Sequence, residues 1–371
     1  MISGAQSARK GWIGGKLPQK GEGNRQFYLP VPNWDSSRFG LIGAMFHVEQ
    51  SRWKQANNPH CSTWNITHYF QPGIRPRTSE LNQTHLLLRP HPLDTIANTM
   101  ISADLTLSKR LELAEATSCV RFADARARLF PESGACSTQC AGAFAVFDGI
   151  SSPCTQTFCL GLLALPTPAD LESIEHFFTE RQAPTLHEIS PFAGIATLDL
   201  LCQRHYRPEE LSSVLYRPVE LSTPAVSSHV SARVIRSDET DLWNDLSVRG
   251  WAYGHPELSD FLKEAGAISA AREQCVCFLA EVDGIPAAAG ALYLHQGVAL
   301  FAGAATVPEM RRRGLQTALL DARLRYAFEN GCDLAMIVAL PGSDSQRNAE
   351  RQGFRIAYTR TKWRLTKKNT Y

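Results

Sequence analysis

The sequence predicts a mixed α/β (α+β) protein built from two similar units in tandem. Regular spacing of apolar residues begins abruptly at Met100, after a long stretch without it. The order strand, helix, strand, short helix, strand then occurs twice, in segments 158–217 and 301–360, which have the same length. Matching order and length favour a duplication. The stretch STPAVSSHVS separates the two copies and has the composition of a linker.

These observations predict four regions. Residues 1–99 are expected to be a poorly structured N-terminal extension, 100–222 the first unit, 223–232 the linker and 233–371 the second unit. The extension is rich in Gly, Pro, Asn, Gln, Ser and Trp, a composition typical of loops or disorder. Two explanations fit it: a disordered tail, or a protein whose synthesis starts at Met100.

Composition limits the classes of function. Of the 371 residues 44% are hydrophobic, and 38 Lys and Arg stand against 36 Asp and Glu, for a net charge of +2. This balance argues against nucleic acid or membrane as a partner, because both are bound largely through charge neutralisation. No apolar run reaches the ~18–20 residues that span a bilayer, and the N-terminus lacks the apolar core of a secretory signal. A soluble, cytoplasmic monomer or homodimer is expected.

The ten cysteines do not predict a metal site. Cys136 and Cys140 are four residues apart, and no second Cys or His pair accompanies them at zinc-finger spacing. Cys275 and Cys277 lie two apart in a strand-like run, so both side chains face the same side. Buried thiols that act as small hydrophobic side chains explain the set.

In the first unit a helical pattern, LTLSKRLELAEATSCVRFADARARLF, precedes the repeated segment. The segments TFCLGLLALP, TLHEIS and SSVLYRPVE are predicted to be strands, and PADLESIEHFFTERQ and IATLDLLCQRH to be helices. The pair His187-Glu188 is interpreted as part of a strand with alternating faces.

The second unit begins with two predicted helices, in SDETDLWNDLSVRGWAYG and ELSDFLKEAGAISAARE. Three strands follow in CVCFLAEVDGIPAAAGALYLHQGVALFAGAATV, broken at Asp283-Gly284 and Gln296-Gly297. Asp-Gly between alternating apolar runs is a strong hairpin signal. Helices are then predicted in RRRGLQTALLDARLRYAFENG and SDSQRNAERQG, and strands in CDLAMIVAL and RIAYTRTKWRL.

A basic turn in VPEMRRRGLQTALL carries the clearest chemical signal. A strand ends at Pro308, the turn contains Gly314, and a helix opens directly after it. The unpaired backbone N–H groups of a helix N-terminus lie at the positive end of the helix dipole and bind anions, pyrophosphate in particular. Gly314 permits close approach of the backbone, and the arginines add positive charge. A solvated basic turn before an ordinary amphipathic helix is the alternative.

The order strand, proline exit, R-x-x-G turn, long helix, strand, and short helix ending in Gly-Phe resembles the GNAT superfamily of N-acetyltransferases. The resemblance covers residues 233–371. The family's pyrophosphate loop is Gln/Arg-x-x-Gly-x-Gly/Ala; here it reads Arg311-x-x-Gly314-x-Gln316, with Gln in place of the last small residue. The resemblance implies two GNAT-like mixed-sheet units in tandem, each with helices packed on both faces.

The resemblance also implies direct transfer of an acetyl group from acetyl-CoA, as co-substrate, to an amine of a small molecule or peptide. Strand 300–306 would splay from its neighbour and pair with the pantetheine, and its backbone would stabilise the oxyanion that develops on the thioester carbonyl. The turn would cradle the pyrophosphate. The implied acetyl-CoA-binding residues are Ala304, Ala305, Thr306, Arg311, Arg312, Arg313, Gly314, Leu315, Gln316 and Thr317.

The sequence assigns no catalytic residue. The family's usual acid is a Tyr four residues before the Gly of the Gly-Phe pair, and Ala349 stands there. A base, or a water that it positions, must deprotonate the acceptor ammonium. Candidates for these roles, each also explained by packing, a surface position or a turn, are Trp251, His255, Glu281, His295, Tyr326 and Tyr358.

The first unit lacks the phosphate loop. Its corresponding helix starts with Asp170 and Glu172, which complement the helix dipole but repel pyrophosphate. This unit is interpreted as a degenerate GNAT unit that serves as structural partner or acceptor platform. The function predicted for the chain is N-acetyltransferase with an unidentified acceptor.

A non-catalytic acyl-CoA-binding or regulatory protein is the alternative, favoured by the missing Tyr and by Gln316. A Fem-type aminoacyl transferase lacks support, because such enzymes need no CoA loop and this sequence has one.

Overall fold

The computed structural model describes residues 103–220 and 229–366. The predicted extension, 1–99, lies outside these residues, and so do positions 223–228 of the predicted linker. The described residues form a mixed sheet with helices on both of its faces. The predicted fold class is therefore confirmed.

Seven α-helices and eleven strands occur in the described residues. The helices are α1 (Leu105–Leu129), α2 (Pro168–Thr179), α3 (Ile195–Gln203), α4 (Thr240–Trp251), α5 (Ser259–Ala271), α6 (Leu315–Glu329) and α7 (Asp344–Arg351). The strands are β1 (Cys136–Cys140), β2 (Ala143–Phe147), β3 (Gln156–Phe158), β4 (Leu186–Ile189), β5 (Tyr206–Pro218), β6 (Val230–Val234), β7 (Cys275–Val282), β8 (Ile285–His295), β9 (Val298–Thr306), β10 (Leu334–Ala339) and β11 (Arg355–Leu365).

The repeated order of elements occurs in both copies, as β3–α2–β4–α3–β5 and as β9–α6–β10–α7–β11. β3 is shorter than the sequence predicts, at three residues. Directly after it, Cys159 takes a left-handed backbone conformation with φ of 62°, which cannot continue a strand. The apolar pattern does not predict β1, β2 and β6, which lie at or near the two ends of the sheet.

All eleven strands lie in one sheet, in the order β1-β2-β3-β4-β11-β5-β10-β9-β8-β7-β6. Each unit contributes a parallel pair, β3–β4 in the first and β9–β10 in the second. The last strand of each unit then pairs with the other unit: β11 lies antiparallel to β4, and β5 lies antiparallel to β10. β5 and β11 also pair with each other. The two units therefore share one sheet through exchanged final strands.

Side-chain alternation along β9 shows that helices cover both faces of this sheet. Val298 and Leu300 belong to a core cluster with apolar residues of α1, whereas Ala299 and Phe301 belong to the cluster that contains α6. Successive strand residues point to opposite faces, so α1 and α6 lie on opposite sides. Another cluster joins α5 to α1, and a fourth packs α2 and α3 on β2 and β4. No helix within 103–220 and 229–366 has both the length and the apolar character needed to cross a bilayer.

Buried charges fasten the exchanged strands to α1. Arg360 of β11 is fully buried and donates to Glu115 from Nη1 and Nη2, at 2.5 and 2.7 Å, and to Glu112 from Nη1, at 3.3 Å. Its Nε donates to Ser212 of β5 at 3.0 Å and lies 3.1 Å from Glu188 of β4. Burial raises the pKa of Glu112 to about 7, even with the guanidinium beside it. One arginine thus links both exchanged strands, β4 and α1.

His187 of β4 is buried, and neither of its ring nitrogens has a hydrogen-bond partner among the described residues. Its ring packs against Tyr206 of β5, with 4.7 Å between the ring centroids. Burial lowers the pKa of His187 to about 3, because the imidazolium would lose its hydration without gaining an acceptor. The sequence predicts a strand with alternating faces here, and the structure buries the side chains on both of them.

The free energy of unfolding is expected to fall on acidification because of His187. An unfolded histidine takes up its proton as the pH drops through ~6.5, whereas folded His187 does so only near pH 3. The free energy of unfolding therefore starts to fall near pH 6.5 and is about 2 kcal/mol lower at pH 5. His187→Phe should remove this part of the pH dependence, measured by urea unfolding at pH 5 and pH 8. His176→Gln, at an exposed histidine of α2, should keep it; an unchanged dependence in His187→Phe would contradict the assignment.

Candidate functional site

The candidate site lies where β9 and β10 separate. The parallel ladder between them ends at Leu300 and Met336, although β9 continues to Thr306. Beyond that point the β10-facing edge of β9 has no strand partner in the described part of the chain. The backbone of residues 301–306 is therefore open to a ligand that pairs like an added strand. This is the separation that the family resemblance implies.

A β-bulge bends β9 in the same region. The register between β8 and β9 shifts by one residue, so that Gly303 and Ala304 oppose the single residue Gly290. Gly303 has a φ of 59°, a left-handed conformation that glycine adopts at little cost. The indole Nε1 of Trp243, on α4, donates to the carbonyl of Gly290 at 3.1 Å and holds the bulge in place. Bulges redirect a strand and interrupt its pairing, and this one lies where β9 leaves β10.

The turn after β9 leads into an open helix N-terminus. Pro308–Met310 form a 3-10 turn, and Arg312 and Gly314 then take left-handed conformations with φ of 64° and 83°. Gly314 is the N-cap of α6, and no side chain within 103–220 or 229–366 caps this helix. None of the backbone N–H groups from Arg312 to Thr317 donates a hydrogen bond to another described residue. Such groups, with the helix dipole behind them, form an anion site.

The three arginines of the turn have different surroundings. Arg312 and Arg313 are exposed, and neither forms an ion pair with any described residue. Arg311 instead donates from Nη2 to the carbonyl of Gly250 at 3.2 Å and from Nε to the carbonyl of Thr306 at 3.4 Å. Its guanidinium therefore fastens the turn to α4 and β9. Contact between Arg311 and a phosphate stays a prediction.

Gln316 occupies the position where the family has a small residue. Its Nε2 donates to Oγ1 of Thr306 at 2.8 Å, so the side chain folds back onto the end of β9. The backbone N–H of Gln316 keeps its place in the row of open donors. The substitution therefore does not close the helix N-terminus.

The corresponding helix of the first unit, α2, is capped in a way that excludes an anion. Oγ1 of Thr167 accepts from the N–H of Asp170 at 3.2 Å, and the carboxylate of Asp170 accepts from the N–H of Thr167 at 2.8 Å. These hydrogen bonds, that of the Thr167 N–H foremost, lower the pKa of Asp170. A negative charge thus stands at the start of α2, and its capping box occupies donors that α6 leaves open.

Residues 239–354 match the model of the Acetyltransferase (GNAT) family. This region is a GNAT domain. It contains the separated strands, the bulge and the open N-terminus of α6, and the match ends before β11. None of the curated proteins compared with the chain matches it.

Solved structures of GNAT proteins are similar to the chain at low identity. A GCN5-related N-acetyltransferase from Kribbella flavida is 20% identical over 68% of this chain and 97% of its own, with a TM-score of 0.49. A tandem GNAT protein from the clavulanic acid biosynthesis pathway is 12% identical over 54% and 70%, with a TM-score of 0.41. The aminoglycoside N-acetyltransferase AAC(6')-Iy, in complex with CoA, is 23% identical over 36% and 92%, with a TM-score of 0.28.

The sequence pattern does not single out Arg323 of α6, which lies under the bulge of the GNAT domain. Its Nη1 donates to the carbonyls of Ala291, on β8, and Ala302, on β9, at 3.1 and 3.5 Å. These hydrogen bonds connect the two strands next to the bulge. No carboxylate accompanies it among the described residues, and burial lowers its pKa to about 9. A charged residue at the core-facing spacing of α6 is the signal by which it could have been found.

A cleft opens beside the bulge, between α4, α5 and the strands. It encloses about 480 Å³, its open mouth included. Trp243, Trp251, Ser247 and Ser269 are among the residues that line it, and it reaches β9 at Gly303. Among the described residues, no Asp, Glu or His lines this cleft.

Most of the candidate catalytic residues lie away from this cleft. Glu281 pairs with Arg233 at 2.6 Å, and His255 lies on the surface beside Glu257. His295 ends β8, roughly 16 Å along the strand from the bulge at ~3.3 Å per residue.

The tyrosine candidates are engaged in packing. Tyr326 packs edge-on against Phe278, with 5.7 Å between the ring centroids. Tyr358 donates to Glu112 at 2.9 Å inside the buried charge network. Ala349 is buried in the core of the GNAT domain and offers no hydroxyl. Of the six candidates, only Trp251 lines the cleft.

Proposed function

We propose that the chain is an acetyl-CoA-dependent N-acetyltransferase, which transfers an acetyl group directly to an amine of a small molecule or peptide. The observation that carries the proposal is the uncapped N-terminus of α6, with its row of open N–H groups, at the end of a strand that has left its neighbour. The membership of residues 239–354 in the GNAT family supports it.

In this proposal each segment of the site binds a different part of acetyl-CoA or of the acceptor. The backbone from Arg312 to Thr317 binds the pyrophosphate, and the side chains of Arg312 and Arg313 add positive charge around it. The open edge of 301–306 pairs with the pantetheine. The backbone around Ala304 and Thr306 then holds the thioester carbonyl and stabilises the oxyanion. The amine enters through the cleft that meets β9 at Gly303.

The first unit is proposed to act as a platform for the acceptor side of the site. Its helix α1 packs against α5, which forms one wall of the cleft. The capped start of α2 gives this unit no second phosphate site of the same kind. The domain boundaries, a cytoplasmic location and a monomeric or homodimeric state stay predictions from the sequence.

Two measurements on the full chain test the proposal. Calorimetric titration with acetyl-CoA should show binding in the micromolar range, and release of free CoA thiol should follow when amines are added. A folded protein that does not bind acetyl-CoA would overturn the proposal.

Because the described residues that line the cleft supply no carboxylate or imidazole, kcat/KM is expected to follow the acceptor's own pKa. Only the neutral amine is nucleophilic, so the rate should rise about tenfold per pH unit below the pKa of the amine and level off above it. Profiles for two acceptors of different amine pKa, measured by thiol release, should therefore be displaced by that difference. Profiles that level off at the same pH for both acceptors would show that a base of the enzyme controls the rate.

A non-catalytic acyl-CoA-binding protein is the second candidate. The observations that favour it are Ala349 at the position of the family's usual acid and a cleft in which no Asp, Glu or His of the described residues lies. Binding of acetyl-CoA without thiol release across a broad panel of amines would select this candidate over the enzyme.

A further inference from the structure

Arg272, directly after α5, is a buried cation in the wall of the cleft. Only 4% of its surface is exposed, and it is the one charged residue among the described residues that line this cleft. The other lining side chains are aliphatic, indole or hydroxyl groups. Burial of a guanidinium in such surroundings costs free energy, because the charge loses its hydration and must be compensated by other partners.

Most of the donors of Arg272 are held by the protein. Nη1 donates to Oγ and to the carbonyl of Ser118, at 2.7 and 3.3 Å, and Nη2 donates to Sγ of Cys275 at 3.4 Å. The guanidinium carbon lies 5.8 Å from the ring centroid of Phe122 and 5.1 Å from that of Tyr293. Ser118 and Phe122 belong to α1, so the first unit fixes the orientation of this arginine.

Three of the five N–H groups of this guanidinium have acceptors among the described residues, and that of Nε is not one of them. Nε of Arg272 is buried and has no hydrogen-bond partner among the residues that the structure describes. No Asp or Glu of the described residues forms an ion pair with this guanidinium either. A buried N–H without an acceptor costs free energy, and one on a charged group costs more than a neutral one. A site that binds an anion regains this loss when the ligand is present.

The position of Arg272 in the cleft points to the ligand. The cleft reaches the bulge at Gly303, where the proposed acetyl transfer takes place, and it also reaches Arg272. We infer that the acceptor is a small primary amine that also carries a carboxylate, and that the guanidinium of Arg272 binds the carboxylate. This inference rests on the proposed function. Arg272 is the one charged residue among the described residues that line the cleft, and a single positive charge suits a monovalent carboxylate better than a phosphate dianion.

The test compares amino acids with their carboxamides as acceptors for the full chain, by thiol release at saturating acetyl-CoA. The amide keeps the shape and removes the charge, and its amine has the lower pKa, so the chemistry alone favours the amide. At least one amino acid is expected to exceed its amide by tenfold or more in kcat/KM. Amides or simple alkylamines that react as well as every amino acid would overturn the inference. So would a protein that acetylates other amines but no carboxylate-bearing amine.

Arg272→Met and Arg272→Lys make the test specific to this residue. Arg272→Met should lose the preference for the acid over its amide, and Arg272→Lys, which keeps the charge but lacks Nε, should retain part of it. Affinity for acetyl-CoA serves as the folding control, because Arg272 lies outside the pyrophosphate site. A retained preference in a folded Arg272→Met would overturn the assignment. A folded wild-type protein that does not bind acetyl-CoA would instead overturn the proposed function.

Discussion

Gly314→Asp is expected to weaken acetyl-CoA binding about 100-fold. A Cβ at this position meets no atom of the described residues within 4 Å, so the side chain has room, while the φ of 83° strains the backbone of any residue other than glycine. The carboxylate would accept hydrogen bonds from the N–H groups that α6 offers to the pyrophosphate. Its negative charge would also repel the pyrophosphate. Two like charges ~5 Å apart at an effective dielectric constant of ~20 repel by about 3 kcal/mol, which corresponds to roughly 100-fold in Kd. Calorimetric titration of the full chain with acetyl-CoA measures the effect.

Two variants separate charge from backbone strain. Gly314→Asn has nearly the same shape and the same left-handed backbone without the charge, and we expect its affinity to change only a few-fold. Gly331→Asp places the same residue at the other end of α6, where the φ of 74° is similar and a Cβ is equally free of contacts. Its affinity should match that of the wild type. Equal losses in Gly314→Asp and Gly314→Asn would show that conformation, not anion binding, is what Gly314 provides.

Arg360→Met is expected to lower the free energy of unfolding by about 3–5 kcal/mol. The substitution leaves Glu112, Glu115 and Glu188 buried near one another without their shared guanidinium. Removing one partner of a buried ion pair is costly because the remaining charge is uncompensated. Urea unfolding near neutral pH measures the loss.

Arg364→Met is the matched control. It lies four residues further along β11 and forms a comparable bidentate pair with Glu209, at 2.7 and 2.8 Å, but both side chains are about one third exposed. Surface pairs contribute about 0–1 kcal/mol, so this variant should remain close to the wild type. Similar losses in the two variants would contradict the structural importance assigned to Arg360.

Local patterns in the sequence predict the seven helices and most of the strands, β1, β2 and β6 excepted. The period of apolar residues, the Asp283-Gly284 turn and the proline after β9 are properties of short segments, and each produces the element that it predicts. The open N-terminus of α6 is equally local, because an uncapped glycine and a basic turn can be seen in the sequence itself.

The exchange of β5 and β11 depends on contacts between distant segments. No short pattern states which of two similar strands lies beside β4, because both alternate in the same way. Arg272 shows the same limit within the site. A lone arginine at the end of a helix is usually solvated, and only packing against α1 places it inside the cleft.

The exchanged strands also affect how the protein is made. β11 must find its place between β4 and β5, and its Arg360 contacts Ser212 across 148 residues of chain. While a ribosome synthesises the chain, β4 and β5 have no central partner until β11 has emerged. Unpaired strand edges invite association with other chains. We therefore expect nascent chains that end before β11 to depend on chaperones, and neither half of the sheet to persist as an independent folding module.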